Sequence, residues 1–176
     1  SLHARAAADF HTTFYDAAKG YYGSGLQTEQ SMPLYLGIVP AAVKSKVFDH
    51  LVHDIEVTNG GHTTSGIIGI KCALEVLSAA GRTDVALRML ARTDYPSYGF
   101  MITHPDEPAT TIWELWDSPT EGPGMNSRNH IMFGTVGSWF YKWLLGVTPL
   151  APGYAPPVAA AATAGAAATA AGGANS

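Results

Sequence analysis

Two indoles flank a carboxylate in the stretch Thr110-Thr111-Ile112-Trp113-Glu114-Leu115-Trp116-Asp117, and a second carboxylate lies three residues on. Indole faces are platforms for the apolar faces of sugar rings, and carboxylates grip hydroxyls or exchange protons with them. In an extended chain Trp113 and Leu115 point one way while Glu114 and Trp116 point the other, which sets Glu114 beside an aromatic wall. The same residue types also fit an ordinary core, with both tryptophans buried and Glu114 capping a helix or pairing with an arginine.

A second cluster, Asn126-Ser127-Arg128-Asn129-His130, stands where a tryptophan-bearing helix is expected to begin. Asn129 and His130 at a helix start form a donor-rich end suited to hydroxyl recognition, although N-capping by Ser127 or Asn129 accounts for the same residues. The third is Gly60-Gly61-His62-Thr63-Thr64-Ser65-Gly66, a loop of small residues feeding a helix. It lacks the Lys-Ser/Thr ending of a phosphate loop, so tight turning and close helix packing explain its glycines, with His62 free to line a cleft.

Other chemistries find little support. None of the seven histidines has a His-Glu-x-x-His spacing, and His50 and His53, three apart beside Asp49 and Asp54, fit a solvated helix face better than a metal site. No Gly-x-Ser-x-Gly elbow occurs. We therefore assign no metal ligands and no cofactor.

The elements that must position these clusters are helices. Ala6 to Ala18 reads as one, stopped by Gly20. A short segment from Thr28 to Gly37 carries Pro33, tolerable near a first turn or a kink. Pro40 opens a helix with Val43, Val47, Phe48, Leu51, Val52 and Ile55 on one face, closed by Asn59-Gly60-Gly61. Thr63 or Thr64 is expected to cap the next, which ends at Gly81, and Thr83-Asp84 starts another. Asn129 to Leu145 is expected to be helical, with Met132, Val136, Phe140 and Leu144 four apart. Only Phe100–Ile102 and Thr111–Trp113 suggest strands, paired briefly around the Pro105–Pro108 turn. Successive helices with short loops make antiparallel hairpins, so the fold class is all-α.

Composition agrees with a buried, lightly charged domain. Of 176 residues 47% are hydrophobic and 14% charged, with a formal net charge of -4, which gives no electrostatic footprint for nucleic acid or an anionic membrane. The lone Cys72 has no disulfide partner. No apolar run is long enough to span a membrane, and no signal peptide opens the chain, so a soluble protein of unassigned compartment is expected. Ser1 stands in what reads as helix, as though the chain were a piece of something longer. From Pro149 a Pro/Ala/Gly tract runs to Ser176, and we expect a folded domain over 1–148 and a disordered low-complexity tail over 149–176.

Taken in order, Gly-Tyr-Tyr-Gly-Ser-Gly-Leu-Gln-Thr-Glu-Gln at 20–30, Gly-Gly-His-Thr-Thr-Ser-Gly at 60–66, Tyr-Pro-Ser-Tyr-Gly-Phe-Met at 95–101, the Trp-Glu-Leu-Trp stretch at 113–116 and Asn-His-Ile-Met-Phe-Gly-Thr-Val-Gly-Ser-Trp-Phe-Tyr at 129–141 form a series. The series resembles the C-terminal half of the catalytic domain of bacterial-type α-L-rhamnosidases, glycoside hydrolase family 78. The resemblance implies an (α/α)6 toroid of six helical hairpins, of which this chain supplies roughly half. It also implies inverting hydrolysis of terminal α-L-rhamnosides, with a rhamnose-containing glycoside or polysaccharide as partner and no cofactor. Glu114 then takes the place of the general base and His130 that of a sugar contact, with Trp113, Trp116, Asn129 and His62 around the sugar.

Inversion needs a second carboxyl group ~6.5–9.5 Å from the base to protonate the leaving oxygen. In the family that acid lies upstream of the matched part, so the missing N-terminal half of the domain becomes an expected partner and the fragment alone is expected to be inactive. A non-catalytic carbohydrate-binding module, or a helical scaffold without a sugar site, is the alternative.

Overall fold

The computed structural model describes residues 1–122, 124 and 126–149. The chain divides into two compact units, Ser1–Phe140 and Tyr141–Ser176. The expected tail lies outside the described residues except for position 149.

Helix α1 spans Leu2–Phe14, capped by the Ser1 hydroxyl, which accepts from the Ala4 amide. It stops four residues before the expected Ala18. Asp16 is the cause: its Oδ1 accepts from the amides of Ala18 and Lys19, both at 3.0 Å, and this local bonding competes with helix. Gly20, at φ 85°, then turns the chain so that β1 (Tyr15–Asp16) pairs antiparallel with β2 (Tyr21–Tyr22).

Helix α2 (Gln27–Tyr35) is started by Glu29, whose Oε2 reaches back to the Leu26 amide and also takes the Ser24 amide, each at 2.9 Å. Pro33 lies inside α2, near its end. Gly37 at φ 68° closes it, with the Ile38 amide bonded to the Pro33 carbonyl at 3.1 Å. Helix α3 (Ala41–His53) follows Pro40 and runs on through a π turn, Asp54–Thr58, burying Val47, Leu51 and Ile55 as the spacing requires.

Helix α4 (Gly69–Ala79) is the most apolar element, with Ile70, Ala73, Leu74 and Leu77 almost wholly shielded; it packs on α2 and on α5 (Thr83–Leu90). Neither Thr63 nor Thr64 caps it. Thr63 Oγ1 instead accepts from the Ser65 amide at 3.0 Å, and the helix begins only at Gly69, where a Cβ would overlap the Thr28 hydroxyl. The glycine there permits the close approach of α2.

The expected strand Phe100–Ile102 is a helix. Ser97 caps α6 (Tyr98–Ile102) by accepting from the Phe100 amide at 2.9 Å, and Met101 fills the core. Residues 111–113 form no strand with it; they hydrogen-bond to a later segment described below. The helix expected over 129–145 is divided into a 3-10 turn (Ile131–Thr135), a short α7 (Val136–Trp139) and a π turn (Phe140–Leu144). Trp139 anchors α7 to α4: its indole N–H donates to the Ser78 hydroxyl at 2.9 Å, both groups buried. In the second unit the Lys142 ammonium lies 4.8 Å over the Trp143 ring, and the Val147 amide bonds to the Tyr141 carbonyl.

Candidate active site

The segment that carries Glu114 lies alongside the segment that carries His130. The Glu114 amide donates to the Ser127 carbonyl at 2.9 Å, the His130 amide to the Ile112 carbonyl at 2.7 Å, and the Thr111 hydroxyl to the Arg128 carbonyl. These bonds run antiparallel and fix which side chains become neighbours. Asn126 closes the intervening loop by donating to the carbonyls of Ser118, at 2.7 Å, and Gly122, at 3.1 Å. Its amide is therefore spent on architecture.

Glu114 is held at one oxygen and open at the other. Oε2 accepts from the Ser127 amide at 2.8 Å, whereas Oε1 lies 3.9 Å from His130 Nε2. That gap exceeds a hydrogen bond, yet one oxygen atom placed beside it can reach both groups at bonding distance. The Glu114 side chain is 16% exposed and that of His130 27%, so both are sheltered but reachable. His130 orients itself: its Nδ1 accepts from the Met132 amide at 3.4 Å, which directs Nε2 toward Glu114. His130 itself is thus the cap of the 3-10 turn, in place of Ser127 or Asn129. Exposed Asn129 lines a cleft of about 580 Å³ with His130, Thr111, Ile112 and Ser138.

The tryptophans are core residues here. Trp113 is 2% exposed, edge-on to His104 and covered by the Arg128 guanidinium 5.5 Å above its ring. Trp116, 9% exposed, packs tilted against Phe133 with ring centroids 4.1 Å apart, meets Tyr98 edge-on and donates its indole N–H to the Ser65 carbonyl. Neither ring offers a broad free face, because each is needed to join the Glu114 segment to the helices. Tyr98 is locked in the same wall, its hydroxyl donating to the Phe133 carbonyl at 2.8 Å, and burial raises its pKa.

His62 lies in a separate cleft of about 430 Å³ shared with Asn59, Tyr95 and Trp116. Its Nδ1 is 2.9 Å from the Asn59 carbonyl, while Nε2 receives the Arg92 Nε–H at 2.9 Å. Arg92 is held in turn by Asp94, whose carboxyl its guanidinium draws down to about 2. The 60–66 loop is braced from α2: Gln27, fully buried, donates to the His62 carbonyl at 3.1 Å and accepts from the Thr64 amide at 2.9 Å. His130 therefore approaches Glu114 and shares one cleft with Asn129, while His62 and Trp116 share another. His50 is bonded to the Gly25 carbonyl and stacked on Tyr21, and among the described residues no group of three or more His, Cys, Asp or Glu side chains could hold a metal ion.

His104 was not singled out by its sequence context, which has neither motif nor periodicity. It is 3% exposed and bonded to Asp117.

Residues 1–144 match the family model described as the bacterial alpha-L-rhamnosidase 6 hairpin glycosidase domain. The chain belongs to the α-L-rhamnosidase family. It is 38% identical over 147 residues to an α-L-rhamnosidase of Streptomyces avermitilis, a match covering 81% of this chain and 14% of that protein. A second, from Alteromonas sp., is 33% identical over 154 residues, covering 84% and 16%. The chain thus spans about a seventh of the length of these rhamnosidases. The crystal structure of the Streptomyces avermitilis enzyme complexed with L-rhamnose superposes with a TM-score of 0.78 at 35% identity, covering 87% of this chain and 15% of that one. The native Aspergillus terreus enzyme gives a TM-score of 0.77 at 30% identity, covering 87% and 18%. The helical hairpins described above are part of a six-hairpin rhamnosidase domain. Among the described residues no helix is long and apolar enough to cross a membrane.

Proposed function

We propose that this segment carries the base-bearing side of an inverting α-L-rhamnosidase site, with Glu114 as general base. The observation that supports this most is the division of labour at its carboxylate: Oε2 is fixed by the Ser127 amide and Oε1 faces His130. A water beside Oε1 loses its proton to the carboxylate as its oxygen bonds to the anomeric carbon. The glycosidic C–O bond breaks on the opposite face, and an acid from elsewhere in the domain protonates the departing oxygen. His130 and Asn129 are suited to hold sugar hydroxyls at the cleft they share, and His62 to contact the substrate from its own cleft. Trp113 and Trp116 serve the site as its rigid wall. No cofactor enters.

A rhamnose-terminated glycoside is the substrate class, by analogy with the named relatives. The segment alone lacks the acid partner and is proposed to be inactive. Joined to the upstream part of a six-hairpin domain, such as that of the Streptomyces avermitilis relative, it should hydrolyse an aryl α-L-rhamnoside. Proton NMR of the first-formed sugar tests the reading. β-L-rhamnose is expected from that completed domain, and α-L-rhamnose would overturn inversion.

A further inference from the structure

The turn at 104–107 grips both segments that hold Glu114 while belonging to neither. His104 Nδ1 accepts from the amides of Asp106 and Glu107, each at 3.2 Å, which leaves the Nε2 proton to donate to Asp117 Oδ1 at 3.1 Å. The imidazole is wedged edge-on between Phe100 and Trp113, at 5.2 and 5.7 Å. From the same turn Glu107 forks onto Arg128, with oxygens 3.0 and 3.1 Å from Nε and Nη2. Asp117 is three residues beyond Glu114, and Arg128 directly follows Ser127, whose amide holds the Glu114 carboxylate. The Arg128–Glu107 pair is exposed at both ends and so contributes little, whereas the His104 bond is shielded from water.

We propose that His104 and Asp117 form a positioning pair that fixes the place of Glu114. The inference rests on reading Glu114 as the base. Neither residue touches Glu114; they act through the backbone of 114–117 and through Trp113. Loss of the pair lets the segment shift relative to Ser127, and misplacing a catalytic group by about 1 Å costs on the order of a hundredfold in rate.

Two substitutions separate positioning from general packing. His104→Asn keeps an acceptor for the amides of 106 and 107 but cannot reach Asp117, whereas Asp117→Asn keeps an acceptor oxygen for His104. In the 176-residue chain, amide hydrogen exchange at Ser127 should quicken by roughly tenfold or more in His104→Asn and change far less in Asp117→Asn. Unchanged Ser127 exchange in His104→Asn, or equal effects of both substitutions, overturns the proposal. In the completed domain His104→Asn should lower kcat about a hundredfold with KM nearly unchanged. Added azide, a nucleophile that needs no base, should restore turnover in it. A rise in KM at constant kcat, or no azide response while Glu114→Gln responds, contradicts positioning. If Glu114→Gln itself keeps full turnover, the base assignment falls, and the exchange result still decides whether the pair sets the segment.

Discussion

The carboxylate of Glu114 is anchored by the backbone amide of Ser127, 2.8 Å from Oε2, across two segments that also exchange the Glu114 amide for the Ser127 carbonyl. The two residues are thus bonded twice, once through backbone and once through side chain. This arrangement immobilises one carboxylate oxygen without consuming the other. It also makes the position of the carboxylate a property of the pairing of the two segments and not of a single rotamer.

The Gly-rich aromatic motif at 20–30 should prove a stability determinant. Gln30 is fully buried; its Oε1 accepts from the Tyr22 amide at 2.8 Å and its Nε2 donates to the carbonyls of Tyr22 and Leu26. Gln30→Leu leaves the buried Tyr22 amide without that acceptor, at a cost of about 1–3 kcal/mol. Urea denaturation followed by circular dichroism should show the midpoint falling. An unchanged midpoint would mean the amide finds another partner.

Gly99, inside α6, lies against the backbone of the stretch that carries Arg92. A Cβ at position 99 would overlap the Arg92 carbonyl oxygen and come within 2.9 Å of Thr93 Cα, and backbone cannot move aside as a side-chain tip can. Gly99→Ala should cost about 1–3 kcal/mol by overpacking. The displaced Arg92 should also loosen its bond to His62. A drop in Tm, with a shifted His62 ring signal by NMR, is the expected result, and an unshifted Tm refutes the close approach.

Acid should weaken the fold through two depressed carboxyls. Asp84 is held down to about 2 by hydrogen bonds from Arg82 and then Arg88, and Asp94 to about 2 chiefly by Arg92. Both bind a proton less readily folded than unfolded, where an Asp titrates near ~3.9. Their stabilisation is therefore complete above that value and is lost as the pH falls toward about 2. Thermal unfolding at pH 4 and pH 2 should show a smaller drop in Asp84→Asn and Asp94→Asn than in the wild type. Parallel drops in all three would show that these carboxyls do not contribute to the acid sensitivity.

Much of the fold was legible because its signals are local. The apolar face of Val47, Leu51 and Ile55 and the stop at Gly81 need only neighbours in sequence to be read, and both stand in the structure. The errors arose where a side chain bonded its own backbone: Asp16 ended α1 early, Thr63 turned inward, and Ser97 converted an apolar triplet from expected strand to helix. At the site, type and spacing left Glu114 and His130 open between a sugar site and an ordinary core and cap, and only the family resemblance singled them out; in the structure they lie 3.9 Å apart. Burial of the tryptophans was not legible, because a Trp-Glu-Leu-Trp stretch looks alike whether its rings face sugar or the indoles of a core. The tie from His104 to Asp117 spans thirteen residues and carries no periodicity, so only the folded chain displays it.

If Glu114 takes the proton from water, replacing its carboxylate must show in one kinetic comparison. In the completed domain, turnover of an aryl α-L-rhamnoside by Glu114→Gln is measured without and with sodium azide. Turnover should fall about 10²–10⁴-fold, the contribution of a general base, and recover with azide to give β-L-rhamnosyl azide. Undiminished hydrolysis by Glu114→Gln, or a fall that azide leaves untouched, would contradict that role.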